Sequence, residues 1–196
     1  MRLIDTLTKT SKKFVKEHKD IIDIILFGSV IRGKKNPSDI DIMILFDKKI
    51  DKNAEYEFRK KIKENASVIS KTTDSVNEYS FDAKEGLLFE GYSLVNSRFL
   101  SSNNGFSSLG IFIYETKKMS NTNRTKFYYA LNGRRGSNGV LKDLNAIKLS
   151  DNIIGIPLDM IETAKDFFSL WKIEYKYIPA LIPERLNKRK IIEKVR

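Results

Sequence analysis

Apolar residues recur along the chain with two periods, and the switches between them outline its elements. Over residues 5–19, Leu7, Phe14 and Val15 fall on one helical face with Ile4 just ahead, while Lys9, Lys12, Lys13 and Lys16 lie elsewhere, which predicts an amphipathic helix. Residues 21–27 are a β-branched run stopped by Gly28, the pattern of a buried strand, and a second strand is predicted over 39–46. From Ala54 a stripe of Phe58, Ile62, Ala66 and Ile69 predicts another helix, capped by Asp51 or Asn53. The pattern then weakens. A strand over 75–81, a helical turn at 87–89 and a strand over 91–95 are its best reading.

Residues 101–105, small, polar and turn-prone, are the linker candidate, and the periods resume beyond them. A strand is predicted over 109–115, a helix over 121–131 ended by Gly133, and two short strands over 146–156 turned at residues 150–152. Asp159 with Glu162 reads as a capping box opening a helix whose inner face is Met160, Ala164, Phe167 and Trp171, and a last strand over 173–178 precedes Pro179 and Pro183. The fold class expected is α+β: a first domain over 1–104 with a mixed sheet, a ferredoxin-like β-α-β-β-α-β domain over 105–183, and a basic tail over 184–196. Ile191, Ile192 and Val195 make that tail a candidate for docking on a protein partner.

Composition narrows the chemistry. No apolar run approaches the roughly 20 residues that span a bilayer, and the start of the chain turns polar too soon for an export signal, so a cytoplasmic protein with no membrane partner is expected. The absence of cysteine excludes disulfides, thiolate zinc sites and a cysteine nucleophile, and a single histidine, His18, leaves a serine–histidine triad short of parts. Charge is uneven. Residues 1–104 hold 19 Lys and Arg against 16 Asp and Glu, a net +3, whereas residues 105–196 hold 17 against 9, a net +8. The second half is therefore the half suited to a polyanion.

The stretch from Ile25 to Asp47, ILFGSVIRGKKNPSDIDIMILFD, carries the candidate chemistry. On a strand Asp39 and Asp41 share a face while Ile40, Ile42 and Ile44 take the other, so the acids can share hard cations while the isoleucines join the core. Gly28 lets backbone approach a triphosphate, Ser29 adds a hydroxyl and N–H groups, and Arg32, Lys34 and Lys35 add positive charge. Gly28-Ser29, Arg32-Gly33 and Ser38-Asp39-Ile40-Asp41, in a strand–turn–strand context, resemble the signature of the polymerase-beta nucleotidyltransferase superfamily, particularly its small prokaryotic and archaeal members. The resemblance implies an enzyme that uses a nucleoside triphosphate and Mg²⁺ or Mn²⁺. It implies nucleotide binding at Gly28, Ser29, Arg32 and Ser38, with Asp39 and Asp41 as catalytic metal ligands. It also implies a third carboxylate from a later strand, for which Asp74 is preferred, ahead of Glu78 and Asp82.

In the second half, Tyr128 to Lys142 joins an aromatic helix end to a glycine-punctuated loop, and Arg134, Arg135 and Lys142 are the candidate RNA contacts. Phe112 and Tyr114 on one strand, and Tyr175 and Tyr177 on another, are expected on a sheet face that either stacks bases or packs on the first domain. The function expected is metal-dependent transfer of a nucleoside monophosphate to an acceptor hydroxyl on RNA, with release of pyrophosphate. The rival readings are AMP transfer to a protein hydroxyl, as in antitoxin-like relatives of the resembled family, and a non-catalytic RNA- or ribonucleoprotein-binding protein.

Overall fold

The computed structural model describes residues 2–62, 65–78 and 84–188. The chain divides into two compact units, Met1–Asn104 and Gly105–Arg196.

The first unit runs α1 (Arg2–Glu17), β1 (Ile21–Phe27), β2 (Ile40–Phe46), α2 (Lys52–Lys61), β3 (Ala66–Thr72), α3 (Thr73–Asn77), α4 (Lys84–Glu90), β4 (Tyr92–Ser93), β5 (Arg98–Phe99) and α5 (Leu100–Asn103). Its five-stranded sheet has the order β3-β2-β1-β4-β5 and is mixed, because β3 runs parallel to β2 while the other pairs are antiparallel. Both faces of the central strands are buried. Ile24, Leu26, Ile42 and Ile44 are sealed on one face, and α1 and α2 contribute Phe14 and Phe58, whose rings meet at 5.0 Å. On the other face Ile25, Met43 and Leu87 form a cluster joined by Phe27, Val76 and Leu100. Two-sided burial explains why β1 and β2 read as continuous apolar runs rather than alternating ones.

Three expectations in this unit give way. The stripe from Phe58 to Ile69 is not one helix: Asp51 caps α2 through the N–H groups of Asn53 and Ala54, the helix ends before Ile62, and Ala66 and Ile69 belong to β3. Residues 73–77 are helical rather than the start of a strand, because the Thr72 hydroxyl accepts the Ser75 N–H and the Ser75 hydroxyl accepts the Thr72 N–H, a reciprocal cap that overrides local strand propensity. The remainder of that predicted strand, with Asp82, lies outside the described residues. Residues 101–103 form α5 with Ser101 buried, so they are part of the first unit's structure rather than a loose linker.

The second unit runs β6 (Phe106–Tyr114), α6 (Asn121–Asn132), β7 (Gly133–Arg134), β8 (Ser137–Asn138), α7 (Val140–Asp143), β9 (Ile147–Ser150), β10 (Ile153–Pro157), α8 (Ile161–Leu170), β11 (Tyr175–Pro183) and α9 (Glu184–Lys188). Its main sheet is four-stranded and antiparallel throughout, in the order β11-β6-β10-β9. The inner face of α8 is Ile161, Ala164 and Phe168 rather than the expected stripe, because the chain enters through a 3-10 turn at Leu158–Met160 and no side chain caps the helix. Pro179 and Pro183 lie within β11, which extends well past residue 178. An edge strand tolerates them because a proline there forfeits no inner ladder bond.

The aromatic face of this sheet also differs from expectation. Phe112 and Tyr114 are buried, Phe112 stacks on Phe168 of α8 at 5.5 Å, and Tyr114 meets Phe127 of α6 at 5.8 Å. Tyr175 and Tyr177 flank Phe112 on the same side, each at 5.3 Å. These rings are the core beneath the helices, and burial lifts the Tyr114 phenol to about 12. They are not an exposed stacking surface.

One buried acid ties the first sheet together. The Asp23 carboxylate accepts from the Ile24 N–H and the Ser93 hydroxyl, both at 2.8 Å, and from the Asn96 amide at 3.4 Å, joining β1 to the β4 turn. Burial nonetheless holds its pKa above the ordinary carboxylate range. A carboxyl that binds its proton more tightly when folded contributes stability below its unfolded pKa, and that contribution is lost as pH rises through the folded one. Asp23→Asn lacks this dependence. In urea unfolding at stepped pH, wild type is expected to lose stability relative to Asp23→Asn as pH rises from about 4, and a constant difference would refute the assignment.

Candidate active site

The chemistry-bearing residues gather at one end of the first sheet, where β1 stops and β2 and β3 begin. In the antiparallel register Phe27 lies opposite Asp41, so the turn that follows β1 passes directly over the first carboxylates of β2. Gly28 opens a 3-10 turn over Gly28–Val30 with φ of +81°, and a Cβ built there would lie 2.3 Å from Asp41 Oδ2. Only glycine offers both the left-handed backbone and the space. The Ser29 carbonyl accepts the Lys34 N–H at 2.9 Å and the Val30 carbonyl accepts the Gly33 N–H at 3.2 Å, which closes the loop.

Asp39 and Asp41 stand at the start of β2, and the Ser38 hydroxyl donates to Asp39 Oδ1 at 2.8 Å. The Ser38 carbonyl accepts from the Asn65 side chain at 2.9 Å, while the Asn65 carbonyl accepts the Ile40 N–H at 2.9 Å. Ser38 therefore orients Asp39, a role different from the direct nucleotide contact expected of it. The Asp41 pKa is raised, first by burial and then by the charges of Asp39 and Glu90, with Arg32 opposing. Crowded like charges of this kind favour a bound cation.

The third carboxylate of this neighbourhood is Glu90, which sequence reasoning passed over. From the end of α4 its Oε1 accepts the Gly28 N–H at 3.0 Å and its Oε2 accepts from Arg32 Nη1 at 2.6 Å. The side chains of this pair are only 26% and 14% exposed, so its charges are weakly screened. Glu90 thereby fixes both the phosphate-facing turn and the guanidinium. The available signal was Glu90-Gly91 itself, an acid at a helix–strand junction after the apolar run 87–89.

The preferred third acid, Asp74, is not brought here. Asp41 pairs with Ser67 on β3, and Asp74 follows the far end of that strand, beyond the Phe46–Thr72 pair, roughly 16 Å or more from Asp41 at strand rise. Glu78, which closes α3, lies at that same far end of the sheet. Directly across from Asp41 stands a serine, and among the described residues no three Asp, Glu or His side chains gather as a metal cluster. The metal donors offered are the pair Asp39 and Asp41, and the open wedge beside Asp41 that a Cβ at Gly28 would fill suits an oxygen-liganded cation. Arg134, Arg135 and Lys142 lie in the second unit, around the β7–β8 hairpin.

Residues 9–96 match the family model described as polymerase beta, nucleotidyltransferase. The match covers the whole site above and supports a nucleotidyltransferase domain in the first unit. No curated protein matches the chain. Among solved structures, the chain is similar to a crystal structure of a toxin–antitoxin with AMP-PNP, with 22% identity over 44% of this chain and 71% of the other and a TM-score of 0.35. It is similar also to a mutant of the toxin–antitoxin pair MntA–HpeT, with 18% identity over 44% and 70% and a TM-score of 0.35.

Two substitutions probe the geometry. Gly28→Ala is expected to cost about 1–3 kcal/mol of stability from backbone strain and contact with Asp41, read as a lowered urea midpoint. Glu90→Gln removes the charge that pairs Arg32 and is expected to cost a similar amount, about 1–3 kcal/mol; adding Arg32→Gln should then cost little more, and additive losses would show that the two side chains act independently.

Proposed function

We propose that the chain is a metal-dependent nucleotidyltransferase that moves a nucleoside monophosphate from a nucleoside triphosphate to an acceptor hydroxyl on RNA, releasing pyrophosphate. The observation that carries this reading is the left-handed Gly28 turn held against Asp41, in a segment that matches the nucleotidyltransferase family model. Asp39 and Asp41 would hold Mg²⁺ or Mn²⁺, which when bound neutralises the triphosphate and favours the ionised acceptor oxygen. Ser38 fixes the Asp39 carboxylate, and Glu90 fixes Gly28 and Arg32, so the acids and the turn keep their places when a charged ligand arrives. Ser29 brings a hydroxyl and an N–H to the triphosphate oxygens. The acceptor oxygen attacks the α-phosphorus in line, the bond to the bridging α–β oxygen breaks, and the acceptor proton passes to solvent. Arg32, already paired with Glu90, serves this site chiefly by holding the loop.

The second unit is read as a ferredoxin-like module that holds the acceptor. Its β-α-β-β-α-β order and its sheet order β11-β6-β10-β9 support that reading of the fold, and the +8 charge of residues 105–196 supports a polyanionic acceptor, with Arg134, Arg135 and Lys142 as contacts. No helix among the described residues is long and apolar enough to cross a membrane.

The decisive experiment incubates the protein with Mg²⁺ and α-labelled nucleoside triphosphates, together with total RNA or total protein as acceptor. Label is expected in RNA and lost in Asp39→Ala with Asp41→Ala. Label in protein instead would support AMP transfer to a protein hydroxyl, persistence in the double variant would sink the metal assignment, and no label in either acceptor would favour a non-catalytic binding protein.

A further inference from the structure

Residues 116–142 contain seven Lys and Arg and no Asp or Glu, the longest acid-free basic stretch that the second unit offers. Most of it is α6, an unusual helix for a small domain: residues 121–126 are all exposed, and Phe127 and Leu131 are its buried anchors. At its C-terminal end two aromatic rings face outward, Tyr128 at 54% exposure and Tyr129 at 41%, with their planes at 72° and centroids 6.0 Å apart. The Arg134 guanidinium lies 5.1 Å from the Tyr129 ring centre.

The hairpin that supplies Arg134 is a fixed ledge rather than the flexible loop its glycines suggested. Gly133 pairs with Asn138 and Arg134 with Ser137, which leaves Arg135 and Gly136 as a two-residue turn with Gly136 at φ of +83°. A Cβ at Gly133 would lie 2.6 Å from the Ser137 carbonyl oxygen, and one at Gly139 would lie 2.2 Å from the Gly133 nitrogen, so both glycines mark tight backbone packing against the end of α6. Lys142 reaches back to the Asn138 side chain at 3.2 Å. The cations and rings are therefore held in place before any ligand arrives.

We propose that the C-terminal end of α6 and the β7–β8 hairpin form a stacking platform for single-stranded nucleic acid, with Tyr128 and Tyr129 receiving bases and Arg134 and Arg135 tracking the backbone. Exposed rings next to cations, with no nearby carboxylate to repel phosphate, match what an unpaired strand presents: flat base faces and a charged backbone. A duplex keeps its base faces inside the stack and has nothing to give the rings. The inference rests on the reading of the second unit as an acceptor-binding module, but not on catalysis in the first unit.

The test measures binding of a fluorescent single-stranded RNA of about 12 nucleotides and of the matching duplex, using the full chain with Asp39→Ala and Asp41→Ala so that no transfer intervenes. The single strand is expected to bind more tightly than the duplex. Tyr128→Ala with Tyr129→Ala should weaken single-strand binding roughly tenfold or more with an unchanged salt slope. Tyr128→Phe with Tyr129→Phe should restore it, since the ring and not the hydroxyl stacks. Arg134→Ala with Arg135→Ala should lower the salt slope by about two. Equal binding of duplex and single strand, or an alanine variant that binds like its parent while its thermal melt shows it folded, would overturn the platform. RNA labelling by the unmutated chain would still stand in that case, whereas single-strand binding without any labelling would remove the proposed transfer and leave the platform intact.

Discussion

A methyl group at Gly28 would come within 2.3 Å of the Asp41 carboxylate, and the site depends on that closeness. The antiparallel register of β1 and β2 sets it, by placing Phe27 across from Asp41 so that the chain must turn immediately over the acid. Backbone approach of this kind needs a positive φ, a missing side chain and something to restrain the turn. The restraint is Glu90, from the opposite flank of the strand, which takes the Gly28 N–H and one arm of Arg32. Three negative groups and one positive group then share a partly buried corner. Burial, Asp39 and Glu90 raise the Asp41 pKa and Arg32 lowers it, so the corner is short of positive charge until a cation arrives. The same deficit that destabilises the free carboxylates would strengthen their hold on a divalent ion.

The parts of this arrangement that were legible in the sequence are those in which local pattern and tertiary environment agree. β1 and β2 are buried on both faces, so their apolar runs could be nothing else, and the acids at the start of β2 break such a run where no core position tolerates a charge. Glu90 was illegible because its role is long-range. It acts on residues 62 and 58 positions earlier, and nothing in its own neighbourhood announces that. Asp74 was misplaced because residues 73–77 were read by strand propensity, when the reciprocal hydrogen bonds of Thr72 and Ser75 make that segment a helix at the wrong end of the sheet. The stripe through Ile62, Ala66 and Ile69 failed for a different reason. Apolar residues three and four apart also fall on the inner positions of a parallel strand, and β3 is paired to β2 over its full length.

In the second unit the aromatics were counted correctly but faced the other way. Phe112, Tyr114, Tyr175 and Tyr177 share one sheet face, and period-two alternation says no more than that. The helices decide which face is covered, and Phe127 and Phe168 choose the aromatic one. With the sheet aromatics committed to the core, the exposed rings are on α6, where helical periodicity leaves Tyr128 and Tyr129 outside the stripe of Phe127 and Leu131. The search for an aromatic recognition surface therefore moves from the sheet to a helix end.

The uneven charge of the two halves follows from incompatible electrostatic requirements. A metal-binding corner needs unpaired carboxylates close together, which repel phosphate until a cation is bound. A strand-binding surface needs cations without carboxylates nearby, which would repel that same cation. Residues 116–142 satisfy the second requirement, and the corner around Asp39, Asp41 and Glu90 the first. At physiological ionic strength the screening length is about 8 Å, so each surface is governed by its own neighbours rather than by the chain's total of +11. Net charge alone would have made the whole chain look like a polyanion binder. Its distribution leaves the first unit free to assemble acids and assigns the polyanion to the second.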